Sequence, residues 1–341
     1  MTLVNGDTGF YNLEQYIDEA YMDWTATDPD QMLTYPIAFL NDALGGIMKS
    51  ELVVIGADSG CGKTELANHI AFHNASKKKR VYLFSLEGDK YEAIQRQKYK
   101  EYTQMVNRTG RKDMAISYRD FIQCKNLPQG ISEEILQLDE LFKKKYSTLN
   151  IYNRESVLNI DLFEAHLDML STKADLIVID HLHYFDFQTS NEHSEITEIM
   201  KRIKQLQDKY RLPIVLISHL RKKEKGRVFP DKDSFHGSSN IVKQATTAII
   251  IAHATPTTEQ DNKDYEEQIK NNIYATGVRI AKSRTGFSDK LLGVIDYDLN
   301  KKAYEKEYLL SICGNQFITP MDKLNYPRWA INAKPRDYYA R

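Results

Sequence analysis

The sequence predicts an α/β fold with a mostly parallel central sheet flanked by helices, and three observations carry that expectation. Short apolar, β-branched runs alternate with amphipathic stretches along most of the chain, the pattern of parallel strands joined by helical crossovers. An early run, Leu52-Val53-Val54-Ile55, leads into Gly56-Ala57-Asp58-Ser59-Gly60-Cys61-Gly62-Lys63-Thr64, after which Leu66, Ala67 and Ile70 recur at helical spacing. A later run, Leu176-Ile177-Val178-Ile179, ends on Asp180, as a buried parallel strand with a carboxylate at its C-terminal end would.

The elements follow in chain order. Phe10, Leu13, Ile17, Ala20, Tyr21 and Trp24 share one helical stripe, and Thr25 to Asp30, with Pro29, breaks it. This short amphipathic helix either folds back on its own domain or docks on a neighbouring subunit. Leu44-Gly45-Gly46 is a turn ahead of the first core strand. Strand, glycine loop and helix in that order form a phosphate cradle: glycines let backbone N–H groups turn inward, and the helix aims its positive end at the same point. Ser59 to Thr64 are the binding residues, with Lys63 on the β/γ-phosphates and the Thr64 hydroxyl on Mg²⁺. One position departs from G-x-x-x-x-G-K-[ST]: its first glycine is Ala57.

Val81 to Glu87 is a strand with a polar end, and residues 89–146 are largely helical and charged, their basic residues forming a solvated face. Asn150 to Asn153 is a short strand. Asn159 caps the next helix, with Leu162, Ala165, Leu167 and Leu170 expected to face inward. The helix over 194–210 turns Ile196, Ile199, Met200, Ile203 and Leu206 inward, and 212–218 is a buried strand ending at His219. A basic loop, Arg221 to Arg227, and a small polar segment, Phe235 to Asn240, follow. Strands are then expected at 248–252, 277–284, 293–297 and 307–312. Neither an internal repeat nor a low-complexity segment is visible.

Composition limits the partners. The chain has 341 residues, enough for one large core or two smaller ones, with 46 basic against 47 acidic residues and a net charge of −1. A surface coated in nucleic acid would be more basic, so any such contact is confined to a patch or channel. Three widely spaced cysteines, Cys61, Cys124 and Cys313, make neither a disulfide framework nor a zinc knuckle, which points to a reducing cytosol. The N-terminus lacks a signal-peptide pattern, and no apolar run approaches the ~18 residues of a membrane span.

Triphosphate hydrolysis needs a cradle, a metal, a positioned water and positive charge for the transition state. Asp180 ends a strand on the edge where ligands of open α/β sheets sit, so it can stand behind the metal; by itself it could equally be a turn aspartate. Glu87 can polarise the attacking water, the alternative being an ordinary exposed carboxylate. His219 can sense the γ-phosphate, the alternative being a structural histidine. Lys282 and Arg284, two apart on a strand, fall on one side and suit a cationic finger given to an adjacent subunit; the alternative is a solvated sheet edge.

Six ordered motifs, SGCGKT, FSLEG, LIVIDHLHYF, VLISHLRKK, HGSSNIVKQATTAI and IAKSRTG, resemble the C-terminal ATPase domain of DnaB-type hexameric replicative helicases, within the RecA-like superfamily. The resemblance runs from Thr34 to about Tyr308. It implies an ATP-driven helicase or translocase whose cofactors are ATP and Mg²⁺, bound by Lys63, Thr64 and Asp180. It further implies Glu87 as water activator, His219 as γ-phosphate sensor, and Lys282 and Arg284 as the finger pair. The segment Phe235, His236, Gly237, Ser238 and Asn240, with Arg221 and Lys222 nearby, would grip single-stranded DNA in a central channel. The implied assembly is a homo-hexamer, with the helix at 10–24 docking on the next subunit and primase or other replication proteins as partners, in the cytoplasm and away from membranes. The implied organisation is a linker at 1–33, an ATPase domain at 34–312 and a tail at 313–341. Two departures stand out: His181 follows Asp180 where the family often has tyrosine, and His236-Gly237 replace a basic-acidic pair. A RecA-like DNA-binding ATPase that does not unwind, such as a loader, recombination mediator or defence component, is the alternative reading.

Overall fold

The computed structural model describes residues 32–57, 60–89, 91–153, 158–187, 191–221, 229–235, 239–253, 269–284, 291–313 and 316–318, with isolated positions at 13, 17, 266 and 267. The chain divides into two compact units, Met1–Leu33 and Thr34–Arg341. In the first, Leu13 and Ile17 are helical; the rest of the expected helix at 10–24 lies outside the described residues.

The second unit is built on one ten-stranded sheet among the described residues. Its parallel half comprises β1 (Leu52–Ala57), β2 (Val81–Ser85), β3 (Leu149–Asn153), β4 (Leu176–Asp180), β5 (Ile214–His219) and β6 (Thr247–His253), in the spatial order β6-β1-β5-β4-β2-β3. Strands β1 and β4 are buried at every position. Their β-branched residues meet packed helices on both faces, which is why these runs do not alternate apolar with polar. The antiparallel half, β7 (Ile273–Ser283), β8 (Leu291–Asp298), β9 (Ala303–Cys313) and β10 (Gln316–Ile318), extends the sheet beyond β6. Gln316–Ile318 lies in the expected tail, yet it pairs with β9 and belongs to the sheet. Residues 319–341 lie outside the described residues.

Helices follow from caps and stripes. The short α1 (Ala38–Leu44) has its first N–H groups, those of Ala38 and Phe39, held by the Glu307 carboxylate of β9, 2.9 and 3.2 Å away. The loop helix α2 (Lys63–Ser76) is buried along most of its length, as a helix lodged beneath a sheet must be. Its Asn74 pins the start of the unit, accepting from the Thr34 N–H at 3.0 Å and donating to the Thr34 carbonyl at 2.9 Å. Three helices, α3 (Glu92–Thr109), α4 (Tyr118–Gln123) and α5 (Ile131–Lys145), close a small core of their own around Tyr99, Tyr102, Phe121, Ile131 and Leu138. The described basic residues of this stretch stay at the surface, as expected, and cover a second hydrophobic cluster.

On α6 (Ile160–Leu170), Asn159 caps the first turn, accepting from the Leu162 N–H at 2.8 Å. The expected inward face is half wrong. Phe163 and Leu167 are buried, whereas Leu162 and Ala165 are exposed. The face is set by the i, i+4, i+7 line through Phe163, Leu167 and Leu170, because Phe163 stacks edge-on against Phe84 of β2 and Phe185. Helix α7 (Glu192–Tyr210) buries Ile196, Ile199, Met200, Ile203 and Leu206, and Met200 is a core residue. The short α8 (Ser239–Gln244) leads into β6.

Gly56, within β1, shows how tightly the sheet is covered. A Cβ there would lie 2.6 Å from Leu220 Cδ2 and 2.7 Å from Phe235 Cε1. Gly56→Ala is expected to destabilise the protein by about 1–3 kcal/mol, the usual cost of overpacking a dense core. Chemical denaturation reads this as a lower midpoint at unchanged slope; an unchanged midpoint would show that Leu220 and Phe235 move aside freely.

Candidate functional site

The parallel half of the sheet aligns its carboxyl ends, and register decides which residues meet there. Ala57, at the mouth of the glycine loop, pairs with His219 at the end of β5. Ser85 pairs with Asp180 across β2 and β4, and the Leu86 N–H donates to the Asp180 carbonyl at 2.7 Å. Glu87 is thereby carried two residues past its strand to the same edge.

The loop has the backbone an anion cradle needs. Gly60 and Gly62 sit at φ +82° and +81°, and a Cβ on Gly60 would meet nothing within 4 Å, so open space faces the loop. Asp58 and Ser59 lie outside the described residues. Gly62 is the N-cap of α2 and Lys63 and Thr64 are its first residues, so their N–H groups are those a helix leaves without internal partners. Cys61 is buried, and neither it nor the exposed Cys124 is in a disulfide.

Four of the six residues expected to be catalytic, Lys63, Glu87, Asp180 and His219, lie at this one edge. Lys63 Nζ lies 3.5 Å from Glu87 Oε2, and His181 Nε2 lies 3.3 Å from the same oxygen. The Thr64 hydroxyl hydrogen-bonds to Asp180. Asp180 is 1% exposed, and its Oδ1 is buried with no hydrogen-bond partner among the described residues. An orphaned carboxylate oxygen beside a threonine hydroxyl is a hard-oxygen donor pair of the kind Mg²⁺ takes, so the residues present fit that ion. Burial pushes the Asp180 carboxyl up to about 6; the neighbouring Glu87 adds to this, while Thr64 and Lys63 oppose it. Burial likewise pushes His181 down to about 2, helped by His219, Lys63 and His183, so that imidazole is neutral. The His219 ring stands 4.4 Å from His181 and 5.1 Å from His183, centroid to centroid.

Two residues sit differently from the expectation. The first is Lys282, expected as half of a finger offered to a neighbour. Its ammonium instead donates to the carbonyls of Val242, Lys243 and Ala245 at 2.7, 3.1 and 2.6 Å, which accounts for all three of its N–H bonds. It caps the C-terminal end of α8 within its own chain, where carbonyls are otherwise left over. Arg284, one residue past β7, is exposed. The second is Phe235, expected as part of a strand-gripping loop. It is 2% exposed, packed over Gly56 and bridged to Leu220, because an aromatic ring fills the space that the glycine leaves. Asn240 is half-buried at the start of α8 and donates to Thr197 at 3.3 Å. Arg221 is exposed, its backbone N–H held by the Ser234 carbonyl at 2.6 Å. Lys222, His236, Gly237 and Ser238 lie outside the described residues.

The structure also shows a feature the sequence reading missed. A cavity of about 480 Å³ opens beside the loop, lined by Gly60 to Glu65, Arg96, Tyr274, Tyr297, Lys302 and Tyr304 among others. Tyr297 and Tyr304 meet edge to face at 5.1 Å, and His69 of α2 closes on Tyr304 at 4.9 Å. Arg96 bridges Glu65 and Glu92 at its rim. These residues come from elements scattered between α2 and β9, so no local pattern connects them. The one signal in the sequence is a pair of tyrosines flanking the β8–β9 turn.

Residues 33–298 match the family described as the DnaB-like helicase C terminal domain, and the chain belongs to that family. A probable replicative DNA helicase from Trieres chinensis is 22% identical over 253 residues, which is 72% of this chain and 51% of that protein. The chain thus spans about half the length of this curated relative. Among solved structures, an ATPase domain is 16% identical with a TM-score of 0.66, over 86% of this chain and 98% of that one. A DnaB-like replicative helicase described with its interactions with primase is 17% identical with a TM-score of 0.63, over 86% of this chain and 67% of that one. The fold is that of these RecA-like ATPase domains.

The raised Asp180 gives a measurable trade-off. A carboxyl lifted from 3.8 to about 6 by folding contributes stability that is complete below 3.8 and lost as pH rises through 6. Asp180→Asn should therefore make the nucleotide-free protein more stable at neutral pH, by up to about 3 kcal/mol, and leave it little changed near pH 4. Metal-dependent nucleotide binding should fall in the same variant. Thermal melts with and without Mg²⁺ check both; a variant less stable at neutral pH would show that Asp180 is held by partners rather than strained by burial.

Proposed function

We propose that this chain is an ATP-driven motor of the DnaB type that moves on single-stranded DNA and unwinds duplex ahead of it. The observation that carries the reading is the meeting of Lys63, Thr64, Glu87, Asp180 and His219 at the carboxyl edge of one parallel sheet. Lys63, Gly60, Gly62 and the first N–H groups of α2 hold the β- and γ-phosphates. Thr64 and Asp180, whose Oδ1 has no hydrogen-bond partner among the described residues, would hold Mg²⁺, which would supply positive charge to the phosphates. The aromatic cavity beside the loop takes the base, with Tyr297 and Tyr304 as its walls.

Glu87 is the general base. Its carboxylate stands next to Lys63, so a water at the γ-phosphate has an acceptor within reach. His219, at the end of β5, reports the γ-phosphate to the chain that follows it, Leu220 and Arg221, and so to the DNA side of the domain. Arg284 is the finger given across the subunit interface. Lys282 also ties the end of β7 to α8, so a pull on Arg284 is felt at the C-terminal end of α8. The assembly is a homo-hexamer in a reducing cytosol, with the helix at 10–24 docking on the next subunit. Single-stranded DNA is held mostly through its phosphates by the Arg221 and Lys222 loop and the 236–240 segment, and primase or other replication proteins are its partners. This reading is supported by family membership and by the likeness in fold.

Glu87→Gln should keep ATP binding and lower turnover by at least about 100-fold. Turnover close to the parent's would refute its role as base. Arg284→Ala should poison rings mixed with intact subunits, because the finger serves the neighbour; additive activity in such mixtures would refute a role in trans. Strand displacement on a forked duplex separates the motor from a DNA-binding ATPase that does not unwind.

A further inference from the structure

We propose that His181, His183 and His219 form a binding site for one transition-metal dication of the Zn²⁺ class, separate from the Mg²⁺ position and inhibitory when filled. The three residues each offer one ring nitrogen, and those donors lie within 4.8 Å of one another. Ring centroids are 4.4, 5.1 and 5.7 Å apart. Tetrahedral bonds of about 2.0–2.1 Å require donors about 3.4 Å apart, so side-chain torsion must draw the rings together by an ångström or so.

The backbone has placed them for this. His181 directly follows β4, and a single 3-10 turn, Leu182–Tyr184, brings His183 back over the same edge. His219 ends the neighbouring β5. Three imidazoles and one open position are the donor set of zinc sites that also take an exogenous ligand. Imidazole nitrogen suits Zn²⁺, Cu²⁺ or Ni²⁺, whereas Mg²⁺ takes oxygen, so the two sites choose different ions. Glu87, 3.3 Å from His181 Nε2, supplies the outer carboxylate that commonly orients a metal-bound histidine.

The inhibitory consequence rests on the proposed roles of Glu87 and His219; the binding itself does not. Metal on His219 withdraws it from the γ-phosphate, and Glu87 is held against His181. Turnover then stops while nucleotide stays bound.

The test uses the full chain with Mg²⁺ in excess. Calorimetric titration with ZnCl₂ should give one ion per chain, and Co²⁺ should show the visible absorption of a four-coordinate site. His183→Gln should weaken zinc by more than about 100-fold, beyond what loss of an outer partner costs. A fluorescent ATP analogue should bind that variant as before, and its ATPase should resist zinc. His183→Cys should restore zinc binding, and it decides the matter if His183→Gln also loses the nucleotide. Zinc binding that survives His183→Gln, an absence of tight binding by the parent, or failure of His183→Cys to bind zinc would overturn the proposal. A chain inactive as an ATPase would still report the metal by titration, so failure of the site and failure of the motor reading remain distinguishable.

Discussion

The register of four neighbouring parallel strands is the constraint on which the candidate site depends. β1, β5, β4 and β2 run the same way, so their carboxyl ends open on one edge. Ala57 faces His219 and Ser85 faces Asp180, and each pairing is fixed by the strands' own hydrogen bonds. A slip of one residue along β4 would turn Asp180 away from Thr64, because successive side chains point to opposite faces. Continuous burial of β1 and β4 prevents that slip, since every alternative register exposes apolar surface or buries the wrong residue.

That edge is held under electrostatic tension. A nearly inaccessible carboxylate, a buried neutral imidazole and a lysine crowd into one small volume, and burial disfavours the charged forms of Asp180 and His181. Asp180 keeps one oxygen without a partner among the described residues, a cost that a folded protein normally avoids. Under the proposed function this is a place prepared for charges that arrive with a ligand: phosphates against Lys63 and the α2 N-terminus, a divalent cation against Thr64 and Asp180. Glu87 lies between Lys63 and His181 and is available to both.

The antiparallel half of the sheet does other work. β8 and β9 bring Tyr297 and Tyr304 to the side of the loop, shaping a cavity that the parallel strands alone would leave open to solvent. β7 ends in the Lys282 clamp on α8, which makes the strand and helix one mechanical piece. The helices α3 to α5 carry a separate aromatic core, and Tyr99 donates from it to the Asn300 carbonyl in the β8–β9 turn at 2.8 Å. Arg96, from the same helical layer, reaches the rim of the cavity. The cavity beside the glycine loop is therefore walled by elements far apart in sequence.

Local sequence sufficed for the parallel strands, the glycine loop, the cap at Asn159 and the core stripe of α7, because each depends on neighbours within a few residues. It sufficed as well to single out Lys63, Thr64, Glu87, Asp180 and His219 as candidates, since every one ends or follows a legible strand. Periodicity was less decisive on α6, where several apolar positions competed for one face and stacking against Phe84 and Phe185 chose Phe163. Long-range packing alone made Phe235 a core residue, turned Lys282 to its own chain, and gathered Tyr297, Tyr304 and Arg96 around one cavity. Those outcomes turn on which distant surfaces press together, and the free energy of such contacts is carried by shape and burial that no short stretch of residues records.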